Sequence, residues 1–169
     1  MAGSTAIDSA RLEAFLGQAL ADVGGLLTAA LVVIGDKLGL YRALATAGPA
    51  TSQELAARTG TTERYVREWL VNQAASGYLT YDAASGRYSL PPEQTVALTD
   101  SASPFFVAGA YQVALAMARA TPRLVEAFRR GDGMTWGEHD PELFEGTERF
   151  FRPGYAAQLT TSWLPALEG

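Results

Sequence analysis

The sequence predicts a mainly α fold: a winged helix-turn-helix with a two-stranded β wing, flanked by N-terminal helices and by C-terminal helices. Three observations predict it. Residues 51–90 read, in order, as helix, turn, helix and short hairpin. Outside that block the apolar residues recur at helical spacing rather than in alternation. The 17 glycines and 8 prolines fall mainly between apolar segments, where they punctuate rather than interrupt.

Each element follows from local chemistry. Residues 1–5 have a disordered composition. Over residues 8–23, Leu12, Phe15, Leu16, Ala19, Leu20 and Val23 form one stripe, with Arg11, Glu13, Gln18 and Asp22 mostly opposite, so an amphipathic helix is expected. Gly24-Gly25 is expected to break or bend it. Residues 26–45 then form a second helix, apolar nearly all round as far as Ile34 and therefore buried on most sides. Gly48-Pro49 is a turn. Thr51 and Glu54 fit a capping box for a helix running to Arg58, with Gly60 just past its end. Thr61 caps the next helix, residues 62–75, whose buried face is Tyr65, Val66, Trp69, Leu70 and Gln73. Residues 79–81 and 88–90 are short strands joined by a loop over 82–87. After Pro91-Pro92 come a helical turn at 93–98, a polar break at 99–103 and an apolar helix at 104–118. Thr121-Pro122 opens another helix, ending at Gly131. A loop runs from there to His139, and Asp140-Pro141 starts a helix of about two turns. Pro153 is expected to break or kink the chain, and a last helix runs from Gly154 to near Trp163. The division expected is 1–50 N-terminal helices, 51–98 winged block, 99–169 helical extension.

Composition narrows the function. The net charge is −5, against the usual footprint of a nucleic-acid binder, whose affinity rests on Lys and Arg at phosphates. Within residues 51–90, Arg58, Arg64, Arg67 and Arg87 are balanced by Glu54, Glu63, Glu68 and Asp82. The winged fold is thus expected to act as a packing and dimerisation module, with nucleic acid an unlikely partner. With no cysteine, thiolate chemistry and Cys-ligated zinc are excluded. The apolar runs 26–34 and 105–117 are each too short for a bilayer. No signal-peptide pattern precedes them, so no membrane association and a cytoplasmic location are expected.

Candidate sites are few. His139, the single histidine, sits between Glu138 and Asp140 and reads as a loop residue near a helix cap, not a ligand or general base. Glu138, Asp140, Glu142, Glu145 and Glu148 read as a solvated face, with two acids favoured at a helix N-terminus. No metal site and no catalytic residue is expected. The aromatics after the wing exceed what short helices need. Phe106, Tyr111, Trp136, Phe150 and Tyr155 are the candidate substrate-binding residues, their rings apolar and their Tyr hydroxyls and Trp N–H polar handles. The apolar stripe near the N-terminus needs a partner surface, and a homodimer with exchanged or abutting N-terminal helices is expected.

Five segments also carry a family resemblance: D-K-L-G-L-Y-x-A-L at 36–44, T-x-x-E-L-A at 51–56, E-R-Y-V-R-E-W-L at 63–70, A-S-G-Y-L at 75–79 and Y-x-L-P-P-E at 88–93. Together they resemble the N-terminal domain of class I S-adenosylmethionine-dependent methyltransferases. More narrowly, they resemble a bacterial subgroup with a winged-helix N-terminal domain, some members of which are labelled transcriptional regulators. The resemblance is strong over 31–98 and weaker beyond. It implies a domain that dimerises and lids the pocket of a small, aromatic acceptor. In that family the cofactor sits in a separate Rossmann-like domain, which opens with a strand and a glycine-rich loop. The nearest string here, residues 131–137, comes after no strand and has the wrong spacing. No cofactor-binding residue is therefore expected in this chain. S-adenosylmethionine is implied only for a full-length enzyme, and the chain alone is expected to be inactive. Its end falls about where the linker to the Rossmann domain would start, whether by truncation, proteolysis or as a natural stand-alone protein. The alternatives are a DNA-binding regulator and a stand-alone small-molecule binder or catalyst on the same scaffold.

Overall fold

A computed structural model describes residues 7–167; residues 1–5, whose composition reads as disordered, lie outside the described residues. The fold is mainly α with one small β wing. Its first element, α1 (Ser9–Lys37), is a continuous helix of 29 residues, capped by the Asp8 carboxylate, which accepts from the Arg11 N–H at 3.1 Å. The expected break at Gly24-Gly25 is absent. Two glycines weaken a helix by about 1 kcal/mol each, which lowers stability without supplying a reason to turn. The real break comes at Gly39, whose φ of +69° only glycine adopts freely. α2 (Leu40–Ala47) begins directly after it, so residues 26–45 are two helices rather than one.

The two halves of α1 differ. Ala29, Val32 and Gly35 are buried against the rest of the protein. Leu12, Phe15, Leu16, Leu20, Val23, Leu26 and Leu27 are exposed, so the expected burial of the segment beginning at Leu26 starts only near Ala29. Because the glycines do not interrupt it, α1 is by length and composition apolar enough to cross a bilayer, unlike the shorter runs read from the sequence. About two thirds of it, nearly all exposed, extends from the body as an arm.

The body is organised on the winged block. α3 (Ser52–Thr59) begins with the expected capping box, Thr51 and Glu54 each accepting from the other's backbone N–H at 3.3 and 2.9 Å. α4 (Glu63–Ala75) buries Val66, Trp69, Leu70 and Gln73, while Tyr65, expected on that face, points to solvent. Thr62 rather than Thr61 occupies the N-cap position, without a side-chain cap bond. β1 (Thr80–Asp82) and β2 (Arg87–Ser89) pair antiparallel, with Tyr81 opposite Tyr88. Ala50 pairs with the other edge of β2 through Tyr88, and Arg87 donates to both Glu54 oxygens at 2.7 Å. Glu54 therefore caps α3 and fastens the wing to it.

Trp69 joins α1 to this block. Its indole N–H donates to the Leu31 carbonyl at 2.8 Å, and its ring meets Tyr41 edge-on at 5.0 Å. Gly35 makes room: a Cβ there would lie 2.5 Å from Trp69 Cζ2 and 2.7 Å from Tyr41 Cε2. Tyr41 donates its hydroxyl to the buried Gln73 carbonyl. Around these rings Leu40, Leu44, Leu55, Val66, Leu70 and Leu79 complete the core.

The extension is α5 (Pro92–Thr99), α6 (Ala108–Arg119), α7 (Thr121–Arg130), α8 (Pro141–Gln158) and α9 (Leu164–Leu167). The helix expected from Pro104 starts only at Ala108. The loop after Gly131 contains a short 3-10 turn, Trp136–Glu138, with its own Thr135–Glu138 capping box. α8 is 18 residues long, not two turns, and passes through Pro153, which is buried. A π-helical stretch, Leu159–Trp163, leads into α9. α6 packs on α8 through Gly109 and Gly146; a Cβ on Gly109 would meet the Gly146 carbonyl and the Phe150 N–H nitrogen at 2.7 Å.

Gly35→Ala forces a methyl into the Trp69 and Tyr41 rings and should lower the unfolding free energy by about 1–3 kcal/mol. Nothing lies within 4 Å of a Cβ on Gly24, so Gly24→Ala should raise it by up to about 1 kcal/mol. Urea unfolding of the two variants at one protein concentration checks the opposite signs.

Candidate functional site

Two regions qualify. The first is the surface by which a winged helix-turn-helix reads DNA, its second helix and wing. Its arginines are already engaged. Arg67 donates to Glu63 at 2.6 and 2.9 Å, Arg64 pairs with Glu68 and Arg87 with Glu54, while Arg58 donates to the Gly48 carbonyl at 2.9 Å. The Arg67 guanidinium and the Ser52 hydroxyl hold the Glu63 carboxyl down at about 2. Every acid named in the charge balance except Asp82 thus faces an arginine.

The second region is the extension, where the candidate aromatics lie. Phe106 is buried, and the Arg149 guanidinium stands over its ring at 5.5 Å. Tyr111 shares a 2.6 Å hydrogen bond with Tyr78, and burial pushes the Tyr78 hydroxyl upward. Trp136 is exposed and packs edge-on against Phe144. Phe150 packs on Phe151, which begins a ladder through Tyr155 to Trp163. Phe150 and Tyr155 are thus joined through Phe151, whereas Tyr111 and Trp136 make their ring contacts elsewhere. Tyr155 lines a shallow apolar depression together with Phe151 and Thr147.

A polar ring that sequence reading missed joins α1, α6 and α8. Asp36 on α1 accepts from Arg149 on α8 at 2.7 Å. Arg149 also donates to the Gln112 carbonyl at 2.7 Å, and Gln112 donates to Glu142 at 2.8 Å. Glu142 accepts from Lys37 at 2.7 Å, and Lys37 adjoins Asp36. Three helices are thereby closed into one loop through the buried Gln112. The signal in the sequence was Gln112 itself, a polar residue in an otherwise apolar helix.

The acids expected to be a solvated face are partly structural. Glu138 takes hydrogen bonds from Thr135 and Arg123, which hold its carboxyl at about 2. Asp140 pairs with Arg119 and caps α8, and these contacts keep it below the usual carboxylate range. The Lys37 ammonium does the same to Glu142. Glu148 reaches Arg152 on the next turn of its own helix. His139 tilts against Trp136 at 5.6 Å, and among the described residues no group of metal-ligating side chains converges.

In the glycine string 131–137, Gly131 is the left-handed cap of α7, coming after a helix rather than a strand, and the 3-10 turn begins at Trp136.

Comparison with known proteins fits this geometry. Residues 27–100 match the family model for the Rv2258c-like winged HTH domain. The central block is a winged helix-turn-helix. The fold as a whole is similar to part of two solved structures. The mitomycin 7-O-methyltransferase MmcR is 24% identical with a TM-score of 0.66, the match covering 88% of this chain and 46% of that one. PigF, in a structure with SAH, is 21% identical with a TM-score of 0.64, covering 83% and 44%. This chain thus spans less than half the length of either structure. No curated protein sequence matches it.

Glu138, Asp140 and Glu142 all ionise more easily in the folded protein than their ordinary values. Each therefore contributes stability above about pH 4.5 that is lost as pH falls toward its folded value. The urea midpoint should drop between about pH 6 and about pH 3. Glu142→Gln should be less stable at neutral pH and show a smaller drop.

Proposed function

We propose that this chain is the dimerisation and acceptor-covering domain of an S-adenosylmethionine-dependent methyltransferase acting on a small aromatic molecule. The observation that carries the reading is the likeness to the N-terminal region of methyltransferases over most of the chain. In such an enzyme a nucleophilic atom of the acceptor attacks the cofactor methyl group, and the cofactor leaves as its demethylated product. A covering helical domain contributes by excluding water and shaping the acceptor pocket. Exposed rings at Trp136, Phe150 and Tyr155 suit an aromatic acceptor by stacking. Of the other two candidates, Phe106 is buried and Tyr111 is half-buried.

The arrangement of charge supports this use of the winged fold over DNA reading. Arginines tied to carboxylates within the block would have to exchange those partners for phosphates. The exposed leucines of α1 support self-association.

Two measurements test the proposal. Sedimentation at roughly 10–50 µM should show a dimer, a range in which an interface of micromolar affinity is populated. Calorimetry of the chain with S-adenosylmethionine should give no binding heat; clear binding would require a cofactor site within these residues and would refute the division of labour. A gel shift with duplex DNA that weakens with salt and depends on Arg64 or Arg67 would favour the regulator instead.

A further inference from the structure

A gap lies where the end of α1, the start of α2 and the turn from α3 into α4 meet. Gly60 makes that turn at φ +65° and has no side chain to fill the space; a Cβ on it would meet nothing within 4 Å. What remains is a cavity of about 240 Å³. Leu40, Val66 and Trp69 are its buried floor, and Ile34, Leu38 and Tyr65 are its exposed walls. Among the described residues no charged side chain lines it, and no lining residue comes from α6, α7 or α8. It is therefore separate from the extension that carries the candidate aromatics.

Thr61, half-buried, also lines the cavity and gives it a polar group of definite sense. The Thr59 hydroxyl donates to the Leu55 carbonyl at 2.9 Å, which uses its only proton. The 2.8 Å bond between the Thr59 and Thr61 hydroxyls therefore takes its proton from Thr61. Thr61 Oγ1 is left with a free lone pair and no proton to give, an acceptor at the edge of an apolar space.

We propose that this cavity binds a small neutral aromatic molecule carrying one hydrogen-bond donor, a monocyclic phenol being the simplest. Size sets the class: an apolar cavity of about 150 Å³ takes up benzene, whereas drug-sized ligands occupy about 300–1,000 Å³. The volume here lies between and holds one substituted ring. The rings of Trp69 and Tyr65 suit an aromatic occupant. With no cation in the lining, a carboxylate would be buried unpaired, so anions are rejected. The Thr61 acceptor distinguishes a phenol from its methyl ether, which has no proton to donate. The site stands apart from the methyltransferase reading, because the winged block and the end of α1 supply all of it.

Trp69 reports on its occupancy. The other two tryptophans, Trp136 and Trp163, are exposed, and replacing each by Phe in the full chain assigns the Trp69 indole N–H resonance. Phenol should shift that resonance saturably, with a Kd of about 1 mM or tighter. Benzoate should leave it in place. Thr61→Val should weaken phenol about fivefold, the equivalent of one hydrogen bond, without weakening anisole. Ile34→Phe, which narrows the mouth, should weaken both ligands. Unchanged urea midpoints check that the two variants are folded. An equal loss of phenol and anisole in Thr61→Val, or no loss of either, overturns the acceptor and with it the ligand class. No shift at Trp69, or equal shifts at all three indoles, overturns the site. A phenol affinity that falls as the protein concentration rises gives the cavity to a second copy and overturns it as well.

Discussion

The contact between Gly35 and the rings of Trp69 and Tyr41 sets the rest of this structure. A helix lies directly on two aromatic side chains only where it has no side chain of its own, and α1 does so at one residue. From that point Trp69 donates to the Leu31 carbonyl, Tyr41 donates to Gln73, and the core closes around both. The direction of α1 relative to the winged block is set by this contact. So is the projection of its first two thirds beyond the body, since a straight helix held at its C-terminal third must overhang.

The polar ring acts on the other side of the same helix end. Arg149 is half of a partly buried ion pair with Asp36 and also completes the hydrogen bonding of Gln112. Removing one member strands the others, and unpaired buried groups are more costly than the net worth of the bonds themselves. The ring therefore specifies where α8 sits more than it adds to stability. It works with the Gly109–Gly146 crossing, where two backbones approach too closely to leave room for sliding.

The winged block was the most legible part of the sequence because its signals are local. A capping box, a glycine past a helix end and an alternating hairpin each involve residues a few positions apart. The helix ends outside it were misread where a local signal was outweighed by context. Gly24-Gly25 and Pro153 are poor helix residues, yet neither coincides with a residue that makes the chain turn, and both helices run through. Tyr65 fits the periodicity of its neighbours but falls at the rim of a cavity. Of the ring only the polar Gln112 was legible: Asp36, Gln112 and Arg149 are far apart in sequence, and only the packing of α1, α6 and α8 joins them. The candidate aromatics were legible as an excess; the burial of Phe106 and the exposure of Trp136 were not.

The uninterrupted course of α1 through its glycines restricts how this protein can change length. Each inserted residue turns everything upstream by about 100° relative to the anchored end. A single insertion would swing the arm's leucines toward the flank bearing Asp22 and Gln18, and the next would carry them further round. Only steps of about seven residues bring the stripe nearly back into line. Surface loops elsewhere in the chain can gain or lose residues freely, whereas this helix is confined to a few discrete sizes.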